Sequence, residues 1–135
     1  DVIFKKQLEK LIVPGECEAI IVRTLPNGPE KLTAKYSGTN PPYFHHEAVE
    51  YLVECGCQHL LTDLPSVDRE EDGGRLAAHK AWWKYPGPAV RETATITELI
   101  FVENEVRDGL FLLNLQIAPL ESDASPSKPV LYRCL

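Results

Sequence analysis

Apolar positions recur at helical spacing at the start of the chain. Ile3, Phe4, Leu8, Leu11 and Ile12 form one stripe on a helix over residues 1–12, and Pro14-Gly15 ends it. The pattern then shifts to short β-branched runs. Ala19–Val22 reads as a buried strand, followed by the turn cluster Leu25-Pro26-Asn27-Gly28-Pro29. Residues 30–44 read as irregular, because Pro41 and Pro42 each lack an amide donor and fix φ. From His45 to Glu54 the helical period returns, with Ala48, Val49, Leu52 and Val53 on one face and Gly56 where a C-terminal cap belongs. His59–Thr62 is the next strand, broken at Asp63-Leu64-Pro65. Arg69–Asp72 is a charge run of the kind found in solvated loops. Leu76–Trp83 reads as a short helix stopped by Pro86-Gly87-Pro88. Strands follow at Thr93–Val102, Leu110–Ala118 and Val130–Cys134, with a turn at Val106–Gly109 and a Ser/Pro loop over Ser122–Pro129. Helices and strands alternate early and strands dominate late. That predicts an α/β fold with a mixed, partly parallel sheet and flanking helices.

At 135 residues the chain has the length of one domain with a core of its own. A formal charge of −6 and a pI near 5.2 argue against nucleic acid or an anionic membrane surface as the main partner. No apolar run reaches the roughly 20 residues that span a bilayer, and no signal peptide is readable, so a cytoplasmic location is expected. The chain begins at Asp1 and contains no Met, which reads as a fragment or a processed chain. Cys17, Cys55, Cys57 and Cys134 read as free thiols; the Cys55-Gly56-Cys57 spacing is neither a zinc knuckle nor a thioredoxin motif.

The chemistry concentrates between His59 and Trp83. A strand that runs into Asp63, Ser66 and Asp68 sets polar groups at its carboxyl end, where ligands bind in open α/β sheets. These residues have two readings: groups that shape a pocket by hydrogen-bonding a histidine or a substrate, or turn residues that cap backbone donors, the latter favoured for Ser66 and Asp68. Ser66 lies in no Gly-x-Ser-x-Gly elbow, which gives a serine nucleophile no support. On spacing alone, His79 and Glu98 read as a helix-surface histidine and a strand-edge charge, with a metal pair as the less favoured alternative. His45-His46 with Glu47 is expected to be a polar helix start, since adjacent helical residues point in different directions. Of Trp82-Trp83, one is expected in the core and the other over the surface, with an aryl-binding wall as the alternative.

Asp63-Leu64-Pro65-Ser66-Val67-Asp68, Gly73-Gly74-x-Leu76-Ala77-Ala78-His79 and Ala94-Thr95-Ile96-Thr97-Glu98-Leu99-Ile100 resemble the second half of the putative cyclase family, metal-dependent hydrolases that include bacterial kynurenine formamidase. Leu112–Pro119 falls near the end of the likeness, which runs over about residues 16–135. The family's first-half segment, His-x-Gly-Thr-His-x-Asp, does not occur in the sequence. The resemblance implies a single cyclase-like domain over 1–135, of the swivelling β/β/α kind, as the C-terminal portion of an incomplete family domain. It implies a metal, zinc or manganese, held by His79 and Glu98, with Glu92 as the nearer competitor because the Trp83–Glu92 segment looks inserted. Asp63 is then the supporting catalytic carboxylate. The implied reaction is hydrolysis of an amide C–N bond, in a formamide or cyclic amide, by a metal-bound hydroxide, on a small-molecule substrate and in a homo-oligomer. The alternative is a non-catalytic member that keeps the fold as a binding or assembly module.

Overall fold

The computed structural model of the chain describes residues 1–16 and 18–134. They form two compact units, Asp1–Phe101 and Val102–Leu135.

The first unit is built on a parallel three-stranded sheet. Its order is β2 (Ala19–Val22), β4 (His59–Thr62), β5 (Thr95–Thr97), with Ile20 beside Leu60 and Leu60 beside Ile96. The central strand β4 is apolar on both faces, as a parallel strand covered from both sides must be, and Leu60 and Leu61 are fully buried. A second parallel pair joins β1 (Val2–Ile3) to β3 (Tyr43–Phe44). This pair corrects the expected helix over residues 1–12. Val2 and Ile3 are spent on the pairing, so the helix shrinks to one turn, α1 (Lys5–Leu8). The apolar spacing still brings Leu8 and Ile12 into the core, while Leu11 is left exposed.

Helix α2 (His46–Glu54) buries Ala48, Val49 and Leu52, and α3 (Ala77–Trp83) buries Ala78 and Trp82; the two helices pack on one another. With Phe44, Leu60 and Val67 these residues make one core. Each fully buried Leu contributes about 2 kcal/mol by the area removed from water. Gly56, at φ +92°, ends α2 by donating its amide to the Val53 carbonyl. Arg91 closes the far end of α3: its guanidinium lies 4.6 Å over the Trp82 ring and donates to the carbonyls of Trp82 and Cys57.

The expected strand over Thr93–Val102 is cut to β5. The chain kinks at Leu99, at φ +57°, before Leu99 and Ile100 donate back to the Leu64 and Thr62 carbonyls. The charge run is exposed at Arg69, Glu70 and Glu71, but it is tied down. The Glu70 carboxylate accepts the Gly38 and Asn40 amides at 2.6 and 2.9 Å, and Asp72 accepts those of Gly74 and Leu76 at 2.7 and 2.5 Å.

The second unit is an antiparallel hairpin of β6 (Phe111–Ile117) and β7 (Ser127–Arg133). The last strand begins earlier than its apolar residues suggest and includes Pro129 opposite Leu115, which a two-stranded ribbon tolerates because each strand has a free edge. Cys55 and Cys134 are free thiols and Cys57 is fully buried; Cys17 lies outside the described residues. No helix among the described residues is long and apolar enough to cross a membrane.

Candidate functional site

Parallel register sets the ends of β2, β4 and β5 at one edge of the sheet, and the chemistry-bearing residues divide there into two clusters. Asp63 follows β4 directly and turns toward β2. Its carboxylate accepts the Thr24 amide (3.0 Å) and hydroxyl (3.1 Å) and pairs with Lys31 Nζ at 2.6 Å. Lys31 Nζ also donates to the Thr24 carbonyl at 2.6 Å. The Asp63 side chain is 1% exposed. Its oxygens are occupied by a structural pin that holds the crossing loop, and its hydrogen bonds run to Thr24 and Lys31 rather than to His79.

The second cluster contains the histidine. Asp68 sits on the loop after β4, and His79 sits on the first turns of α3. One Asp68 oxygen accepts the Ala78 amide at 2.7 Å. The other accepts the His79 amide at 3.2 Å and meets the His79 ring at Nδ1, 2.6 Å away. Asp68 therefore serves α3 as an N-terminal anchor from outside the helix. Leu76, at the cap position, is left-handed and offers no side-chain acceptor. Ser66 accepts the Asp68 amide at 3.1 Å, which is the expected turn chemistry. Asp68 does more than that, since it fixes both the helix start and the imidazole plane.

The other ring nitrogen, Nε2, faces Glu98 Oε1 at 3.8 Å, beyond hydrogen-bond distance. Glu98 is the first residue past β5, at the kink, and its Oε1 is held by the Val67 amide at 3.0 Å. Trp83 stacks on His79, centroids 5.5 Å apart at 30°, and is itself held by a bond from Nε1 to the Ala94 carbonyl. Trp82 is fully buried and Trp83 half-buried, so the pair divides between core and surface as the sequence predicts. Glu92, the competing ligand, is exposed.

The charges follow from these contacts. Burial pushes the Asp68 carboxyl up, but hydrogen bonds from the His79 ring and the Ala78 and His79 amides outweigh it and hold the group below the usual carboxylate range. The Asp68 hydrogen bond raises His79 against the opposing effect of burial, and the Asp68, Glu98 and Asp72 charges add to the rise. Burial raises Glu98, partly offset by the Val67 amide and His79. With Nδ1 engaged by Asp68 and Nε2 turned toward a carboxylate oxygen, the donor set is one imidazole and one carboxylate, which suits a divalent ion of the zinc or manganese kind. Catalytic zinc sites use three protein ligands, one more than this pair supplies.

His45, His46 and Glu47 form another group. Among the described residues this is the only set of three or more His, Cys, Asp or Glu ligands whose donor atoms lie within 4.8 Å of one another. It corrects the expectation of divergent histidines. His45 is the cap of α2 with extended backbone (φ −66°, ψ 141°), so its ring does not follow helical projection, and the two rings sit 4.3 Å apart. A cleft of about 690 Å³ in the second unit is lined by Asn104, Asp108, Phe111 and Arg133 among others, and contains neither cluster.

The family model described as Putative cyclase matches residues 2–69, half of the chain. The chain belongs to this cyclase family. The matched span includes Asp63 and Asp68 and stops short of His79 and Glu98. Two solved structures extend the likeness of this cyclase-family chain over 97% of its length. One, "The Structure Of Potential Metal-Dependent Hydrolase With Cyclase Activity", is 18% identical with a TM-score of 0.71; the other, "The structure of predicted metal-dependent hydrolase from Bacillus stearothermophilus", is 17% identical with a TM-score of 0.66. They establish the mixed α/β fold as cyclase-like. The chain spans 58% and 57% of their respective lengths. No match was found among curated proteins.

Proposed function

We propose that this cyclase-family chain carries part of the active site of a metal-dependent hydrolase, and that the ion is held at His79 Nε2 and Glu98 Oε1. One observation carries the reading: an imidazole whose Nδ1 is gripped by a buried carboxylate at 2.6 Å while its Nε2 faces a second carboxylate 3.8 Å away. Outer-sphere carboxylates orient metal-binding histidines in this way. When bound, the ion, zinc or manganese, supplies Lewis acidity. The chain's own residues do the rest. Asp68 holds the ring proton at Nδ1, the Val67 amide aims Glu98, and Trp83 covers one face of the imidazole. The substrate is a small molecule with an amide C–N bond, a formamide or a cyclic amide. The site's remaining ligands come from outside this pair, and the working protein is a cytoplasmic homo-oligomer.

The test measures zinc and manganese binding together with hydrolysis of an N-formyl arylamine by the whole protein. His79→Ala and Glu98→Gln are each expected to lower metal affinity at least tenfold and to abolish turnover. Metal binding and turnover untouched by both substitutions would overturn the reading. A second reading, a fold kept as a binding module without chemistry, is favoured by the pair's lack of a third ligand within 4.8 Å among the described residues. It predicts that the whole protein binds no metal at His79 and hydrolyses no amide.

A further inference from the structure

We propose that His45, His46 and Glu47 form a separate binding site for a divalent transition-metal ion of the imidazole-preferring kind, such as Zn(II) or Ni(II). The site shares no residue with the His79–Glu98 pair. It is built where β3 ends and α2 begins. The His45 amide donates to the Ile3 carbonyl at 2.9 Å, and the His45 carbonyl accepts the Ala48 amide at 2.9 Å, so the cap backbone is fixed from both sides. Phe4 and His46 then box the His45 ring, at centroid distances of 5.4 and 4.3 Å. One donor atom from each of the three residues lies within 4.8 Å of the other two, so that small side-chain adjustments bring all three within bonding distance of one ion.

An independent observation points to a ligand. His45 Nδ1 is sealed from solvent and has no hydrogen-bond partner. Glu47 Oε2 is 3.5 Å from it but lies outside hydrogen-bond geometry. A buried imidazole nitrogen without a partner is costly, and a coordinated cation would satisfy it. His46 and Glu47 are exposed, which leaves the ion a way in. The positive end of the α2 dipole opposes a cation here, and the Glu47 carboxylate supplies the countercharge. Two nitrogens and one oxygen select zinc, nickel or copper over magnesium and calcium, which take oxygen ligands.

The experiment titrates Ni(II) and Zn(II) into the full chain carrying His79→Ala, so that the proposed active-site ligand is absent. Expected is one site per chain that persists in this background and weakens at least tenfold with His46→Asn and, separately, with Glu47→Gln. Both of these side chains are exposed, and circular dichroism would confirm that the fold is kept. In the same titration Co(II) should broaden or shift the ring signals of His45 and His46 ahead of those of His59. No uptake by the His79→Ala chain, or uptake indifferent to His46→Asn and Glu47→Gln, would overturn the proposal. Failure of the active-site reading shows instead as equal binding by the wild-type and His79→Ala chains.

Discussion

Asp68 satisfies two backbone amides and one imidazole with a single carboxylate, and each contact answers a different need. The amides would otherwise be orphan donors at a helix start, and the ring would otherwise rotate. Asp68→Asn keeps the shape and loses the charge. It is expected to cost about 1–3 kcal/mol in urea denaturation and to weaken metal binding about 10–100-fold in calorimetry. The pH dependence of the metal-free chain follows from the same trio. Asp68 is held below its ordinary 3.8, so its contribution is complete above that value and is lost as pH falls through the folded-state pKa. His79 is raised above 6.5, so its contribution is complete below 6.5 and is lost as pH rises through the folded-state pKa. Glu98, raised above 4.5, also removes stability as pH rises through its own pKa. For this trio, urea midpoints should therefore peak between the ordinary 3.8 of Asp68 and the ordinary 4.5 of Glu98 and fall on either side, and His79→Gln should flatten the decline above pH 6.5. At this scale the sequence is only partly legible. His79 and Glu98 stand out by their neighbours, but the choice between Asp63 and Asp68 as the partner of the histidine does not. The bonds that decide it join Asp63 to Thr24 and Lys31, 39 and 32 residues away, and Asp68 to His79 across a glycine loop. No periodicity records such contacts.

Among the elements, β2, β4, α2 and α3 are legible because each carries its own period and its own stop signal. The β1–β3 pair is not, since two-residue strands have no period to read. The kink at Leu99 is likewise invisible, because a left-handed leucine has no compositional mark. The loop between β2 and β3 is held by the buried Lys31–Asp63 pair, with side chains 16% and 1% exposed. Lys31→Met strands the Asp63 charge and is expected to cost about 3 kcal/mol in chemical denaturation. Adding Asp63→Asn should recover much of that loss, since the carboxamide still accepts from Thr24 without a charge to bury. A double variant as unstable as Lys31→Met alone would show that the lysine acts through packing instead.

Over the whole molecule, the two units divide the labour unequally. Every buried apolar side chain among the described residues lies between Leu8 and Ala94, whereas the hairpin has none. Residues 1–101 alone are therefore expected to fold with a cooperative melt in circular dichroism. In the full chain, the amides of β6 should exchange with deuterium far faster than those of β4, as two-stranded ribbons are marginal. The α/β class was readable from the order of periods. The division of the hairpin from the first unit was not, because Phe111–Ile117 reads equally well as an apolar strand of a larger sheet. The closing of α3 bears on how this chain can diverge. Left-handed residues, Leu76 and Lys84, bracket the helix, and Arg91 returns its amide to the Trp83 carbonyl. One residue inserted within α3, between Ala77 and His79, would swing the imidazole about 100° off Asp68. Residues 84–90, between the helix end and Arg91, are all exposed. Insertions and deletions are expected to accumulate there among descendants, changing the sequence interval from His79 to Glu98 while the distance between them in space is preserved.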